Sequence, residues 1–361
     1  MSRDIPSLIP AWQRLRRDRS PAVLCTIVET DGSTYRKAGA RMIIDGEGNY
    51  HGILGGGCFE GDLVERARGV IAAGEPAVVE YDMRGDEDLI WGLGLGCNGL
   101  VRLLLQPLRA ADDYQPLTCL CEAVEDFRPA VIATGISDQL LGRSVVIDHA
   151  GVHEFGISES EIRGLADACR AHLDGGKPSG FDAGETGRLF IDPIPRQHHL
   201  LIIGAGPDAV PMASNAAALH WRVTLADHRE QNPGLAFFPD AVHLVCCAPE
   251  DLASAVDLER VSAALVMSHN FVADTASLKS IAAAPPGYVG LLGPTARRNA
   301  LLETLSAEQR AGLENRVRGP VGLDIGGDSP GSIALATIAE IHAFFEGADA
   351  AALDGRNSRA A

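Results

Sequence analysis

A strand–turn–helix–strand segment in the second half of the chain restricts its possible folds more than any other feature. It opens with His199 to Ile203, whose four apolar residues after the histidine form a pattern found in buried parallel strands. The glycine-rich turn Gly204 to Ala209 follows, then a helical pattern, then a second strand that ends at Asp227. This order is that of a Rossmann-like dinucleotide-binding unit. Strand and helix patterns continue to alternate, which predicts a doubly wound parallel sheet over 196–346.

The same turn supplies the candidate nucleotide-binding residues: Gly204, Gly206, Ala209 and Asp227. Ala209 stands at the third position of the pattern, where glycine or alanine is usual, and Asp227 closes the second strand. However, Pro207 lacks an N–H group, and Asp208 places a negative charge where a pyrophosphate would sit. Two interpretations of this turn stay open, one in which it binds a nucleotide and one in which it does not. If a nucleotide binds, hydride transfer with NAD(P) is the less favoured function.

The first 195 residues follow a different pattern, in which short strands and turn signals predict a mixed α+β domain with a hairpin-like sheet. Its hairpin occurs twice, because Pro21 to Thr26 is similar to Pro129 to Thr134 and each copy continues into a similar second strand. Only the first copy carries an inserted loop, Asp31 to Gly39, so we expect that loop to have a function. The composition of 347–361, rich in Ala, Asp and Gly, predicts a disordered tail.

Two cysteines of the first domain stand in glycine-rich turns. Cys58 follows Gly55, Gly56 and Gly57, and Cys97 lies within the run from Gly94 to Gly99. The first turn leads directly into a helical pattern, where unpaired N–H groups attract anions and the helix dipole lowers the pKa of a neighbouring thiol. The turns therefore predict a site for a phosphorylated or metal-bearing ligand. The alternative is that the glycines only close tight turns and the cysteines pack as small hydrophobic residues.

Positive charge is concentrated near these turns by Arg36, Lys37 and Arg41, in a protein that is otherwise acidic. Arginine holds a phosphate with two parallel donors, so Arg36 and Arg41 are candidate anion ligands, unless this is only a solvated basic loop. Glu60 either steers the protonation of Cys58 or stabilises the first helical turn, and we favour the second role.

The composition excludes several classes of protein. A formal net charge of −17 argues against a nucleic-acid partner. No apolar run approaches the ~18 residues of a membrane-spanning helix, and no signal-peptide pattern is present, so we expect a cytoplasmic protein without a membrane partner. The eight cysteines lack the spacing of a structural zinc site. Five cysteines lie in apolar, strand-like runs and one in a helical pattern, which predicts core positions for most of them: Cys25, Cys119, Cys121, Cys246 and Cys247, and Cys169.

Taken in order, the motifs of the chain resemble those of the XdhC/CoxI family, the molybdenum-cofactor maturation and insertion factors of xanthine dehydrogenase and related molybdenum hydroxylases. The resemblance covers nearly the whole chain except its middle segment and its tail, and the GGGCxEGD and GLGLGC elements are together quite specific. The segments that carry it are Gly32 to Met42, Gly55 to Asp62, Gly92 to Gly99, Gly204 to Pro211, Gly290 to Gly293 and Pro320 to Gly326.

The resemblance implies an accessory chaperone and not a catalyst. Such a protein binds the molybdenum cofactor, a pterin with a phosphate and a dithiolene-held metal, and protects it while a cysteine desulfurase adds the terminal sulfur. It then inserts the cofactor into an apo molybdenum hydroxylase. The implied cofactor contacts are the two cysteines, which would also contact the metal, the arginines as anion partners, and their neighbours in the turns: Cys58, Cys97, Arg36, Arg41, Gly55, Gly56, Gly57, Glu60 and Asn98.

Asn98 departs from the glycine of many relatives, and we expect it to mark a subgroup that handles a different form of the cofactor. Some relatives handle a cytosine dinucleotide form, which would give the Rossmann-like domain a nucleotide to hold. A cofactor nucleotidyltransferase would then be a further partner. The family also suggests a homodimer.

Other functions stay open. An NAD(P)-dependent oxidoreductase would use the second domain for its cofactor and Cys58 or Cys97 as a redox-active thiol. A thiol sulfur carrier would instead take a persulfide from the desulfurase on Cys58. An interaction scaffold explains least, because the glycine–cysteine turns would have no purpose.

Overall fold

In the computed structural model of the protein, the described residues are 4–57, 59–84, 99–158, 169, 179–184, 187–229, 233–240 and 242–352. They divide into two compact units, and the division falls between Gln197 and His198. The first unit contains two antiparallel sheets and the second a six-stranded parallel sheet. This confirms the predicted fold class, a mixed α+β domain followed by a Rossmann-like one.

The first sheet of the first unit has the strand order β3-β2-β1-β5-β4, with antiparallel pairing throughout. Its central strand is buried from Ala22 to Val28, and such a two-sided apolar run is stable only inside a sheet that is covered on both faces. The strands are β1 (Ala22–Gly32), β2 (Arg41–Asp45), β3 (Tyr50–Gly52), β4 (Ala77–Asp82) and β5 (Gly99–Leu108).

The second sheet repeats this arrangement, with the order β8-β7-β6-β10-β9. The hairpin repeat predicted from the sequence is part of that symmetry, because Ala22 pairs with Asp45 in β1–β2 and Ala130 pairs with Asp148 in β6–β7. The strands are β6 (Ala130–Gly135), β7 (Ser144–Asp148), β8 (Gly151–Phe155), β9 (Gly180–Gly184) and β10 (Gly187–Ile194).

The described helices of this unit are α1 (Ile5–Asp18), α2 (Glu60–Ala73) and α3 (Leu117–Glu125). Helix α1 buries an apolar stripe, which includes Leu8 and Trp12, against a core that it shares with α3. The indole Nε1 of Trp12 donates to Thr118 Oγ1 at 2.8 Å, which ties the two helices together. Helix α2 packs on the first sheet through Leu63 and Ala67.

One predicted strand is wrong. Cys119 and Cys121 lie in helix α3, whereas Cys25 lies in a strand, β1, as predicted. A short apolar run fits a buried helix as well as a strand, and periodicity alone does not separate the two. Packing against α1 decides in favour of the helix here. Cys25, Cys119, Cys121 and Cys169 are buried, which confirms their core positions. Cys246 is instead exposed and Cys247 only partly buried, because Cys246 ends a strand at the edge of the second unit's sheet.

The sheet of the second unit has the order β13-β12-β11-β14-β15-β16, and all of its pairs are parallel. This is the strand order of a doubly wound dinucleotide-binding fold, in which the chain reverses direction across the sheet between the first and fourth strands. The strands are β11 (His199–Ile203), β12 (Arg222–Asp227), β13 (Val242–Cys246), β14 (Ala263–Val266), β15 (Tyr288–Leu291) and β16 (Val317–Arg318).

Helices cover both faces of this sheet, so each face has its own core. One core includes Met212 and Ile341, and the other includes Leu278 and Leu301. None of the helices in the described ranges is long and apolar enough to cross a membrane. The helices are α4 (Ala209–Ala218), α5 (Leu252–Ala255), α6 (Phe271–Ile281), α7 (Thr295–Glu303), α8 (Ala307–Leu313) and α9 (Pro330–Phe345).

Candidate functional site

The loop that joins β1 to β2 brings the predicted motifs of the first unit together. On one side, the Tyr35 ring lies against the first glycine turn, with ring carbons 3.4 Å from the position that a Cβ on Gly56 would take. On the other side, a Cβ on Gly99, the first residue of β5, would lie only 2.6 Å from the carbonyl oxygen of Ser33. The inserted loop, the first glycine turn and the end of the second glycine-rich motif therefore meet at one place.

Glu60 fixes the shape of the first glycine turn. The residue is 4% exposed, and its carboxylate accepts hydrogen bonds from the backbone amides of Gly55 (2.7 Å), Gly57 (3.0 Å) and Phe59 (3.3 Å). Gly56 and Gly57 have φ values of +67° and +99°, which favour glycine over any residue with a side chain. The amides expected to attract an outside anion are thus bound to the protein's own carboxylate, which favours the structural role for Glu60.

Both arginines predicted to bind an anion are paired with acids. Arg36 Nη2 lies 2.5 Å from Asp4 Oδ1, and the Arg36 side chain is 31% exposed. Arg41 Nη1 lies 2.6 Å from Asp192 Oδ2, in a pair whose side chains are 2% and 0% exposed. Arg41 also donates to the carbonyl oxygen of Gly39 at 3.0 Å. Its guanidinium therefore holds the end of the loop in place and is closed off from solvent.

Three other residues form the open side of the loop. Tyr35 is 57% exposed, and Lys37 is exposed without a hydrogen bond or ion pair to its ammonium in the described part of the chain. Arg84, which follows β4, pairs at 2.6 Å with Asp31 at the end of β1, next to the loop. Sequence reasoning missed Tyr35 and Arg84, because neither the contact with Gly56 nor the ion pair with Asp31 has a signal in the sequence.

Cys58, Cys97 and Asn98 lie outside the described residues, so their contacts with a cofactor or metal stay predictions. Their nearest described neighbours along the chain include Gly57 and Gly99, which belong to the turn and the strand that border the loop.

Three described cysteines of the first unit are poorly suited to act as a thiolate. Burial raises the pKa of Cys25 and Cys121 far above the ordinary range, and burial together with Asp148 raises the pKa of Cys119 to about 11. Among the residues that the structure describes, no group of three or more His, Cys, Asp or Glu side chains could hold a metal ion.

In the second unit, the glycine-rich turn packs tightly against the segment that follows β14. Gly204 has a φ of +109°, and a Cβ on it would lie 2.6 Å from the Cα atom of Ser268, so only glycine fits. Ala209 is completely buried in the first turn of α4. Both residues are thus explained by packing within the fold.

Asp227, the acid at the end of β12, is already paired within the chain. It accepts hydrogen bonds from the Ala205 amide at 2.6 Å and from Arg229 Nη2 at 2.7 Å. Burial works to raise the pKa of this carboxyl, but the hydrogen bonds from Arg229 and Ala205 outweigh burial, so its pKa falls to about 2. The carboxylate stays ionised and is held by these partners.

Several backbone positions of the turn offer no free donor to the diphosphate of a dinucleotide. Pro207 has no N–H group, the Ala205 amide is bound to Asp227, and the Ala209 amide donates to the carbonyl oxygen of Gly206 at 3.0 Å. A diphosphate at a helix start is held by just such amides. At Ala205, Pro207 and Ala209, the Rossmann turn therefore has an amide that is bound within the chain or no N–H group at all.

A side-chain contact also closes the turn from the outside. Asp208 Oδ1 lies 2.5 Å from the position that a Cβ on Gly206 would take, and Asp208 Oδ2 lies 2.7 Å from His269 Nε2. His269 has a φ of +59° and follows β14, so this contact joins the loops after β11 and β14. In doubly wound sheets, ligands enter the crevice between these two loops.

Comparison with known proteins covers both units. The XdhC Rossmann domain family matches residues 200–341, and the XdhC and CoxI family matches residues 15–82. The chain is 32% identical over 335 residues to a probable xanthine dehydrogenase subunit of Bacillus subtilis (strain 168), across 91% of this chain and 94% of that protein. It is 25% identical over 321 residues to the molybdenum cofactor insertion chaperone PaoD of Escherichia coli (strain K12), across 89% and 82%.

A solved structure has the same fold over nearly its full length. The crystal structure of a Bacillus halodurans protein described as a xanthine dehydrogenase matches with a TM-score of 0.78 and 26% identity, over 94% of this chain and 96% of that one. These similarities confirm the family resemblance drawn from the glycine–cysteine motifs. The chain belongs to the XdhC and CoxI family.

Proposed function

We propose that this protein is an accessory chaperone that binds the molybdenum cofactor and inserts it into an apo molybdenum hydroxylase of the xanthine dehydrogenase type. The names of two relatives, a molybdenum cofactor insertion chaperone and a probable xanthine dehydrogenase subunit, support this function. The observation that carries the proposal is the convergence at the β1–β2 loop, where the first glycine turn and the end of the second glycine-rich motif both border the same loop.

In this proposal, Cys58 and Cys97 contact the cofactor and its metal. Soft thiolate ligands suit the sulfur-rich environment of such a metal. Cys58 directly follows Gly57, and Cys97 precedes Gly99 by two residues, so each cysteine is covalently joined to a segment that borders the loop. We assign Asn98 to the same contact region.

The phosphate of the pterin needs positive charge in a protein with a net charge of −17. Lys37 is the best placed donor, because its ammonium is exposed and has no acid partner in the described residues. Arg36 can contribute from its partly exposed pair with Asp4. We assign Arg41 to the support of the loop, because its guanidinium is buried against Asp192.

Glu60 serves this site by holding the turn, with Gly55, Gly56 and Gly57 bent around its carboxylate. A turn fixed in this way is preorganised, so that binding at it loses little conformational entropy. The protein itself performs no covalent step in this scheme.

The proposal includes two partners besides the apo-enzyme. These are a cysteine desulfurase, which supplies the terminal sulfur while the cofactor is held, and a second copy of the chain, because the loaded protein acts as a homodimer. A cofactor nucleotidyltransferase joins these partners for a cytosine dinucleotide form. Support for a nucleotide in the second unit comes from the fold and not from the donors of its turn.

The test is the pterin content of the protein purified from cells that make the molybdenum cofactor, measured as fluorescence after oxidative release. We expect stoichiometric pterin in the wild type and loss of most of it in Cys58→Ala and Cys97→Ala. Cys246→Ala is the matched control, because Cys246 is an exposed cysteine of the second unit. Bound nicotinamide dinucleotide without pterin would overturn the proposal in favour of an oxidoreductase.

A further inference from the structure

We infer that Tyr35 stacks on the pterin ring of the bound cofactor and so makes the site selective for a flat heteroaromatic ligand. This inference rests on the proposed function and adds a specificity-determining residue to it. Tyr35 is neither a metal ligand nor an anion partner, and its role would be to bind the organic part of the cofactor.

An aromatic ring is exposed beside the turn where the motifs meet. The Tyr35 side chain is 57% exposed. The neighbouring aromatic residue of the turn, Phe59, is 7% exposed and stacks on Tyr81 with ring centroids 4.5 Å apart. Aromatic rings contribute most when they are buried, so a ring left open beside converging loops is suited to bury itself against a ligand.

The Tyr35 ring lies beside the backbone of the first glycine turn. Its Cδ2 and Cε2 atoms are both 3.4 Å from the position of a Cβ on Gly56, so one side of the ring rests against the backbone of the turn. The φ of +67° at Gly56 favours glycine, which leaves no side chain there to compete with a ligand for the ring. The ring therefore lies directly beside the turn that precedes Cys58.

The loop is fixed on both sides of Tyr35. Thr34 Oγ1 donates to the carbonyl oxygen of Arg36 at 2.9 Å, and Arg36 is paired with Asp4. Close packing of Gly99 against Ser33 holds the preceding part of the loop. A preorganised ring loses little freedom when a ligand stacks on it, so most of the stacking energy is available for binding.

The chemistry of the ligand follows from the ring. A pterin is a planar bicyclic heterocycle, and a tyrosine recognises such a system by its face, as it does a nucleobase. Lys37, two residues further along the loop, is exposed and can meet the phosphate of the same ligand. Stacking does not depend on the metal, so this contact would serve the cofactor before and after sulfuration.

The experiment is a fluorescence titration of the full-length protein with pterin-6-carboxylate, in the wild type and in Tyr35→Ala, Tyr35→Phe and Tyr50→Ala. Tyr50, on β3, is the matched control because its side chain is 50% exposed. We expect Tyr35→Ala to weaken binding by about 5- to 150-fold, the range that base–aromatic stacking gives, and to abolish quenching of the pterin by the protein. Tyr35→Phe should bind as the wild type does, because it keeps the ring.

The outcomes separate this inference from the proposed function. A wild type that binds no pterin in the titration and retains none on purification would overturn both. A wild type that binds pterin together with an unchanged Tyr35→Ala would overturn only the role of Tyr35. If Tyr35→Phe and Tyr35→Ala lost the same amount of pterin affinity, the stacking role of Tyr35 would also be overturned, because the effect would then come from the hydroxyl group. Thermal unfolding of each variant shows that the fold is intact, as expected for an exposed side chain.

Discussion

The carboxylate of Glu60 lies 2.7 Å from the backbone nitrogen of Gly55, and this contact closes the first glycine turn onto the start of helix α2. Two more amides, those of Gly57 and Phe59, donate to the same carboxylate. The anion at this helix start therefore belongs to the protein itself. Each amide that loses such a partner in a buried place costs about 1–3 kcal/mol.

Replacing Glu60 by Gln should loosen the turn, because an amide side chain keeps one acceptor oxygen and turns N–H donors toward backbone N–H groups. We expect a loss of about 1–3 kcal/mol in the stability of the first unit and faster hydrogen exchange at the Gly55 and Gly57 amides. Glu65→Gln is the control on the exposed side of the same helix. Identical exchange at Gly55 in both variants would contradict this assignment.

The buried pair of Arg41 and Asp192 gives the largest expected effect on stability. Asp192→Asn leaves a guanidinium without its counter-charge at a position that is 2% exposed, and such a change costs about 3–5 kcal/mol. Asp62→Asn breaks the exposed pair with Arg66 and should cost less than about 1 kcal/mol. Urea unfolding measures both, and equal midpoints for the two variants would show that burial of Arg41 has no energetic consequence.

The pH dependence of the second unit should depend on Asp227. The pKa of this carboxyl is lowered from 3.8 to about 2 in the folded protein, where the hydrogen bonds outweigh the opposite effect of burial. Its contribution to stability is therefore complete above pH 3.8 and is lost as the pH falls toward about 2. Asp227→Asn should reduce this loss of stability at acid pH.

Hydrogen exchange in β11 and β12, followed over that pH range, measures the effect in the second unit alone. Asp257→Asn removes a carboxylate that is 59% exposed and should leave the pH profile unchanged. A profile of Asp227→Asn that coincides with the wild type would show that other carboxyls control the acid transition.

Lys37 should matter for a phosphate-bearing pterin and not for the fold. We expect Lys37→Ala to weaken retention of the cofactor by about two- to fivefold, with a smaller dependence on salt than the wild type, because an exposed ion pair is worth little and is screened. Lys279→Ala is the control, since Lys279 is exposed on α6 of the second unit. If Lys279→Ala lost as much cofactor as Lys37→Ala, a direct contact between Lys37 and the phosphate would be excluded.

The second unit should not bind NAD. Its glycine turn lacks the amide donors at Ala205 and Pro207, and the Asp208 carboxylate covers Gly206. Isothermal titration of the wild type with NAD should give no binding heat, and Asp208→Asn should not restore binding, because the donors are still missing. Micromolar binding to the wild type would show that the turn rearranges to admit a diphosphate.

The fold was largely open to prediction from the sequence, because its signals are local. The parallel sheet of the second unit follows from strands that are apolar on both faces and from a turn of fixed pattern between β11 and α4. The hairpin repeat follows from a repeated sequence. Helix α3 was not predicted from the sequence, because its short apolar run has no periodicity that distinguishes a helix from a strand.

The candidate site was less predictable, because contacts distant in sequence decide its chemistry. The basic residues Arg36 and Arg41 look equivalent along the chain, yet Arg41 is buried by Asp192 of β10, a strand far away in sequence. Lys37 and Tyr35 gain importance only from their exposure, which is a property of the folded loop. Residue type predicted which chemistry was available here, and packing determined which side chains are open to a ligand.

Cofactor transfer tests the central claim most directly. The protein purified with its pterin is mixed with an apo xanthine dehydrogenase-type hydroxylase, and the enzyme activity that appears is compared with that from an equal amount of free cofactor. The chaperone function predicts faster and more complete activation by the loaded protein, and no activation by protein from cells that lack the cofactor. Activation that is no better than with free cofactor would contradict it.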